Sequence, residues 1–113
     1  MTFSEYQKLA QRTDLAKNIR DWNDVYNFEK LLGLCGEAGE VADKFKKILR
    51  DRAGVVSEAD RDEIVKELGD VLWYLAIIAE HLDVDFEQVA QVNIAKLASR
   101  KARNLIHGSG DNR

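Results

Sequence analysis

Glu37 and Glu40 in "EAGE", and Glu67 and Asp70 in "ELGD", are two pairs of carboxylates with the same i,i+3 spacing. On a helix the members of each pair lie about 60° apart around the axis, so each pair makes one acidic spot. Like charges this close are unfavourable unless something positive sits between them. Both pairs are embedded in small and apolar residues, which weighs against the ordinary explanation of a solvated charged face. Four carboxylates on two helices can converge on a divalent cation. Oxygen-only ligation favours Mg²⁺, with Mn²⁺ as the alternative, and Mg²⁺ usually binds together with substrate phosphates. A di-iron carboxylate site would need a Glu-x-x-His on each of two helices, and neither His81 nor His107 stands three residues after a glutamate.

The glycines fit the same picture. Gly33, Gly36 and Gly39 thin one side of the first acidic helix and Gly69 separates the acids of the second. Each costs up to about 1 kcal/mol of helix propensity, so they are expected to let the two backbones approach closely. Lys44 lies two turns after Glu37 on nearly the same face, and Asn93, Lys96 and Arg100 form one stripe at i, i+3 and i+7. Cations and an amide near a metal suit a phosphorylated ligand. The plainer alternatives are an i,i+4 salt bridge from Lys44 to Glu40 and a solvated face for the stripe. Tyr74, Trp22 and Trp73 read as core or interface more readily than as platforms for a base.

Four helices are needed to position these groups. Ser4 is a plausible cap for a short first helix with Phe3, Tyr6, Leu9 and Ala10 at helical spacing. From Asn23 or Asp24 the apolar positions Val25, Phe28, Leu31, Leu32, Cys35 and onward to Leu49 keep a period of 3.6, and this helix is expected to end near "RDRAG". Ser57 with Asp60 has the form of a capping box opening a third helix that runs to about Leu82. Asp85 caps a fourth. The fold class expected is all-α, a bundle of about four helices with two long central ones carrying the acids.

The whole chain, residues 1–113, reads as one domain, with a glycine-rich tail over 106–113 whose default reading is disorder. Hydrophobic residues make up 45%, charged residues 33%, and proline is absent, as suits a helical protein. The formal charge of -3 excludes a broad positive field for polymeric nucleic acid or an anionic membrane. Cys35 is the only cysteine, read as a small core residue in a reducing, cytoplasmic setting. The longest apolar run, Val71 to Ala79, is nine residues, against the roughly 18 to 20 of a membrane span. Apolar positions wrap beyond one stripe on the two long helices, so a homodimer or homotetramer is expected.

The stretches "GEAGEVADKFKK", "EIVKELGDVLWYLAIIAE" and "NIAKLASRK" together resemble the MazG-like nucleotide pyrophosphohydrolases, of the all-α NTP pyrophosphatase group. Their signature is E-x-x-E, a spacer and E-x-x-D, here with 26 residues between Glu40 and Glu67. The resemblance implies hydrolysis of a (deoxy)nucleoside triphosphate to the monophosphate and pyrophosphate. It implies that Glu37, Glu40, Glu67 and Asp70 hold Mg²⁺, and that Asn93, Lys96 and Arg100 contact phosphate or nucleoside. The tail "GSGDNR" is similar to an ending in small members, which implies that Ser109, Asp111 and Arg113 close over a site, in the same or a neighbouring subunit. Several relatives carry a further glutamate where this chain has Gly36, so the general base falls to one of the four acids, Glu40 first, or to a metal-bound hydroxide. Enzymes related to dUTP or phosphoribosyl-ATP hydrolases share the acidic constellation, and a non-catalytic nucleotide-binding or oligomerisation module is the reading from another class.

Overall fold

The computed structural model describes residues 1–16 and 22–111, and its described residues form four α-helices and no strand. Helix α1 spans Phe3–Ala10, and a short 3-10 turn, Gln11–Thr13, follows it. Helices α2, Val25–Arg52, and α3, Glu58–His81, form a long hairpin, and α4 spans Phe86–Ala102. No described helix is long and apolar enough to cross a membrane.

Local side-chain chemistry sets each boundary. The cap of α1 is Thr2, not Ser4: the Thr2 hydroxyl accepts from the Glu5 amide, and the Glu5 carboxylate accepts from the Thr2 amide. Ser4 instead donates to Asp85 at 2.7 Å, joining α1 to the cap of α4. Asp24 caps α2, and Ser57 with Asp60 forms the expected capping box on α3. The end of α2 comes where Ala53 turns into the left-handed region at φ 50° and Gly54 follows at φ 84°. Arg52, in the last turn of α2, pairs with Asp60 in the first turn of α3 and pins the hairpin.

A small core of Ala10, Ala76, Ile77, Ala79 and Phe86 holds α1 and the start of α4 against the C-terminal half of α3. Gln7 is buried within it and donates to the Val84 carbonyl at 3.0 Å while accepting from the Phe86 amide at 2.9 Å. One buried glutamine thereby saturates backbone groups left open where α3 gives way to α4.

Most of the apolar stripe of α2 stays outside the core in this chain, with Ile48 its one buried member. The buried residues of α2 are Asn27, Lys30 and Ile48, whereas Val25, Phe28, Leu32 and Leu49 are each more than half exposed. Cys35, expected inside, is also exposed. What docks the N-terminal half of α2 is polar. The Asn27 side-chain oxygen meets Nδ1 of His81, His81 Nε2 lies 2.8 Å from an Asp14 oxygen, and the Lys30 ammonium lies 3.1 Å from the other Asp14 oxygen. All four residues are buried. Lys30 also sits 5.1 Å from the centre of the Trp73 ring.

Burial opposes ionisation of Asp14, but bonds from His81, the Ala16 amide and Lys30 outweigh it and hold the carboxyl below its ordinary range. Stability from such a depressed carboxylate is complete above its unfolded pKa, about 3.9, and is lost as pH falls through the lower folded value. Asp14→Asn is therefore expected to cost about 3 kcal/mol in urea unfolding at pH 7. The gap from the parent protein should close as the same melts are taken below about pH 4.

Candidate active site

An α-helix rises about 1.5 Å per residue, so distance from the hairpin turn decides which side chains of α2 and α3 meet. Glu37 stands 15 residues before the end of α2 at Arg52; Glu67 and Asp70 stand 9 and 12 residues after the start of α3 at Glu58. These are similar heights on antiparallel rods. Glu37, Glu67 and Asp70 each present a carboxylate oxygen, all within 4.8 Å of one another. Glu37 and Glu67 are half-buried and Asp70 is exposed.

Glu40 is exposed and stands outside this group of three. Its charge still reaches the site. Loss of water around Glu37, then the charges of Asp70, Glu40 and Glu67, push the Glu37 carboxyl above its usual range. A hard divalent cation fits this donor set, because it would replace mutual repulsion by attraction to three oxygens at once.

The same arithmetic places Lys44 opposite the first turns of α3, where its ammonium lies 3.2 Å from Glu67 and 3.3 Å from Glu63. Its partners are therefore across the hairpin, and not the i,i+4 neighbour Glu40. Lys44 already neutralises part of the acidic cluster and crosses between the two acidic helices.

The glycines divide. A Cβ on Gly33 would fall 2.3 Å from two carbons of the Tyr74 ring, so Gly33 leaves room for an aromatic side chain of α3. Gly36, Gly39 and Gly69 have open space where a Cβ would point, so within this chain they do not serve close backbone approach. Tyr74 packs edge-on to Trp73, with ring centres 4.9 Å apart, one turn beyond Asp70.

The basic stripe of α4 is engaged elsewhere. Lys96 and Arg100 both lie 3.2 Å from the Asp111 carboxylate, and Arg100 also donates to the carbonyls of Gly110 and Asp111. These bonds, from Lys96 first and then Arg100, hold the Asp111 carboxyl below its ordinary range. Asn93 and Lys96 line an open groove of about 570 Å³ with Val84, Gln88, Val89 and Val92. Among the described residues no ion pair links this stripe to the three acids. The tail is folded back against α4, with Ser109 exposed, while Arg113 lies outside the described residues. Trp22 is half-buried at the entry to α2.

Residues 28–104 match the MazG nucleotide pyrophosphohydrolase domain. The chain belongs to this family. It is 48% identical over 109 residues to the Gene 37 protein of Mycobacterium phage L5, covering 96% of each chain. It is 31% identical over 91 residues to dCTP pyrophosphatase 1 of Bos taurus, covering 78% of this chain and 52% of that protein. It is also 31% identical over 86 residues to YvdC of Bacillus subtilis (strain 168), covering 72% and 81%. No solved structure gives a significant match. The family's match spans α2, α3 and α4 and contains the three acids, Lys44 and the stripe of α4. The buried group of Asp14, Asn27, Lys30 and His81 was not foreseen. Its signal was present as an asparagine and a lysine at i,i+3 inside the α2 pattern, and a histidine closing the α3 apolar run.

The contrast among the glycines is open to measurement in this MazG domain. Gly33→Ala should cost about 1–3 kcal/mol in chemical unfolding, because Tyr74 must move. Gly39→Ala should gain up to about 1 kcal/mol from helix propensity.

Proposed function

We propose that this chain hydrolyses a (deoxy)nucleoside triphosphate between its α and β phosphates, releasing the monophosphate and pyrophosphate, with Mg²⁺ or Mn²⁺ as cofactor. The observation that carries the reading is the meeting of Glu37, Glu67 and Asp70 across the α2–α3 hairpin, in a member of the nucleotide pyrophosphohydrolase family. Glu37, Glu67 and Asp70 would hold the cation, with Glu40 at its edge. When bound, the ion supplies Lewis-acid polarisation of a phosphoryl oxygen and lowers the pKa of a coordinated water.

The protein's own groups divide the remaining work. Glu40, exposed and outside the three-acid cluster, would be free of the cation and would accept the proton of the attacking water. Lys44 neutralises Glu67 in the free protein, and its flexible stem allows the ammonium to turn to phosphate oxygens instead. Lys96 and Arg100 would offset the charge that develops on leaving pyrophosphate, and Asn93 in the adjoining groove would bond to the nucleoside or phosphate. Asp111 belongs to the tail that folds back onto this basic stripe, and Ser109 and Arg113 would close over the site with it. The printed name of the bovine relative makes dCTP the first nucleotide to test.

We place the reaction in one domain of a cytoplasmic homodimer or homotetramer. Val25, Phe28, Leu32, Leu49, Val65 and Ile94 are all more than half exposed. The radius of gyration is 16.9 Å, against the roughly 13 to 14 Å of a compact chain this size. A second copy covering these faces removes that apolar surface from water. Sedimentation should accordingly give a dimer or tetramer at micromolar concentration, and a stable monomer would contradict this part of the reading.

A chromatographic panel of NTPs and dNTPs should yield monophosphate and pyrophosphate only with divalent cation, and EDTA should abolish turnover. Glu37→Gln and Asp70→Asn should each lower kcat/KM by about a hundredfold or more while the helical content is retained. Orthophosphate as the direct product would move the cleavage to another bond.

A further inference from the structure

The contacts of Arg100 are lopsided. Its side chain is 7% exposed, and its three hydrogen bonds, at 2.9 to 3.2 Å, all leave from Nη2 toward Gly110 and Asp111. Its Nε is sealed from solvent with no partner. A buried N–H without an acceptor is unfavourable, and the single acceptor face of the tail does not cure it. Lys96 reaches the same Asp111 oxygen from one turn earlier on α4.

The partner lies at the surface. The Asp111 side chain is 82% exposed, and Gly110 turns back through φ 84°, so the contact rests on a short surface segment and not on the core. Beside it lies the open groove lined by Asn93 and Lys96. A carboxylate held by a lysine and an arginine mimics one edge of a phosphate, whereas a phosphate offers more acceptor oxygens to the guanidinium.

We propose that Lys96 and Arg100 form an anion site whose resident anion is the chain's own Asp111, so that an incoming phosphoryl group must first displace the tail carboxylate. This rests on the reading of Lys96 and Arg100 as phosphate-facing, and adds that the tail competes with the substrate. Asp111 is then a latch, and its removal strengthens anion binding.

The test is calorimetric titration of inorganic pyrophosphate into the full chain, with EDTA present to silence any cation site. Asp111→Asn should bind pyrophosphate about fivefold more tightly than the parent, the range of an exposed ion pair. That gain should be absent when Lys96→Gln and Lys96→Gln/Asp111→Asn are compared. Unchanged or weaker binding in Asp111→Asn, no pyrophosphate binding in either protein, or a gain that survives Lys96→Gln would each overturn the latch. Failure of the hydrolase reading is separate: it would show as absence of nucleotide turnover by the parent protein, with this binding comparison unaffected.

Discussion

Mutual repulsion among Glu37, Glu67 and Asp70 is the constraint around which the α2–α3 hairpin is arranged. Three carboxylates within 4.8 Å of one another are costly to bring together, and the raised Glu37 carboxyl reflects first its loss of water and then the charges of Asp70, Glu40 and Glu67. The helices stay together because other contacts hold them on either side of the acids. Toward the turn, Arg52 grips Asp60 and Lys44 bridges to Glu63 and Glu67. Beyond the acids, the Tyr74 ring sits against Gly33, and the buried His81, Asn27, Asp14 and Lys30 fasten α2 to the end of α3. A repulsive cluster held by attractive flanks is a preorganised place for positive charge.

The flanks also explain the place of α1. Its residues stand outside the acidic cluster, but Gln7, Ser4 and the segment ending at Asp14 tie together α3, α4 and α2. Asp14 is the nearest thing to a keystone, since its two oxygens meet groups from both long helices. The hydrophobic core is small by comparison, and much apolar surface of α2, α3 and α4 stays open in the single chain.

Much of this was legible in the sequence because caps and spacing are local properties. Asp24, Ser57 with Asp60, and Asp85 announced three helix starts, and of the i,i+3 acids Glu37, Glu67 and Asp70 come together while Glu40 stands outside the group. The first cap was misread because Thr2 with Glu5 forms a complete box, while Ser4 is recruited by a residue more than 80 positions away. Periodicity names a helix face without saying what lies opposite it. Cys35 and the α2 stripe were thus expected inside, and Gly36, Gly39 and Gly69 were given a packing role that only Gly33 fulfils. Lys44 was ambiguous for the same reason: its partners on α3 depend on the height of the hairpin turn, a property of two helices together. The Arg100 and Asp111 contact depends on a backbone reversal in a tail whose composition reads as disorder.

If carboxylates from both long helices hold one cation jointly, binding needs an acid from each helix. Calorimetric titration of Mn²⁺ into the nucleotide-free protein at pH 7, beside Glu37→Gln from α2 and Asp70→Asn from α3, tests it most directly. Saturable binding by the parent protein is expected, with at least a tenfold loss of affinity in each variant, because each removes one arm of a shared site. Parent-like Mn²⁺ affinity in either variant would contradict it, since the cation would then rest on one helix alone or lie elsewhere.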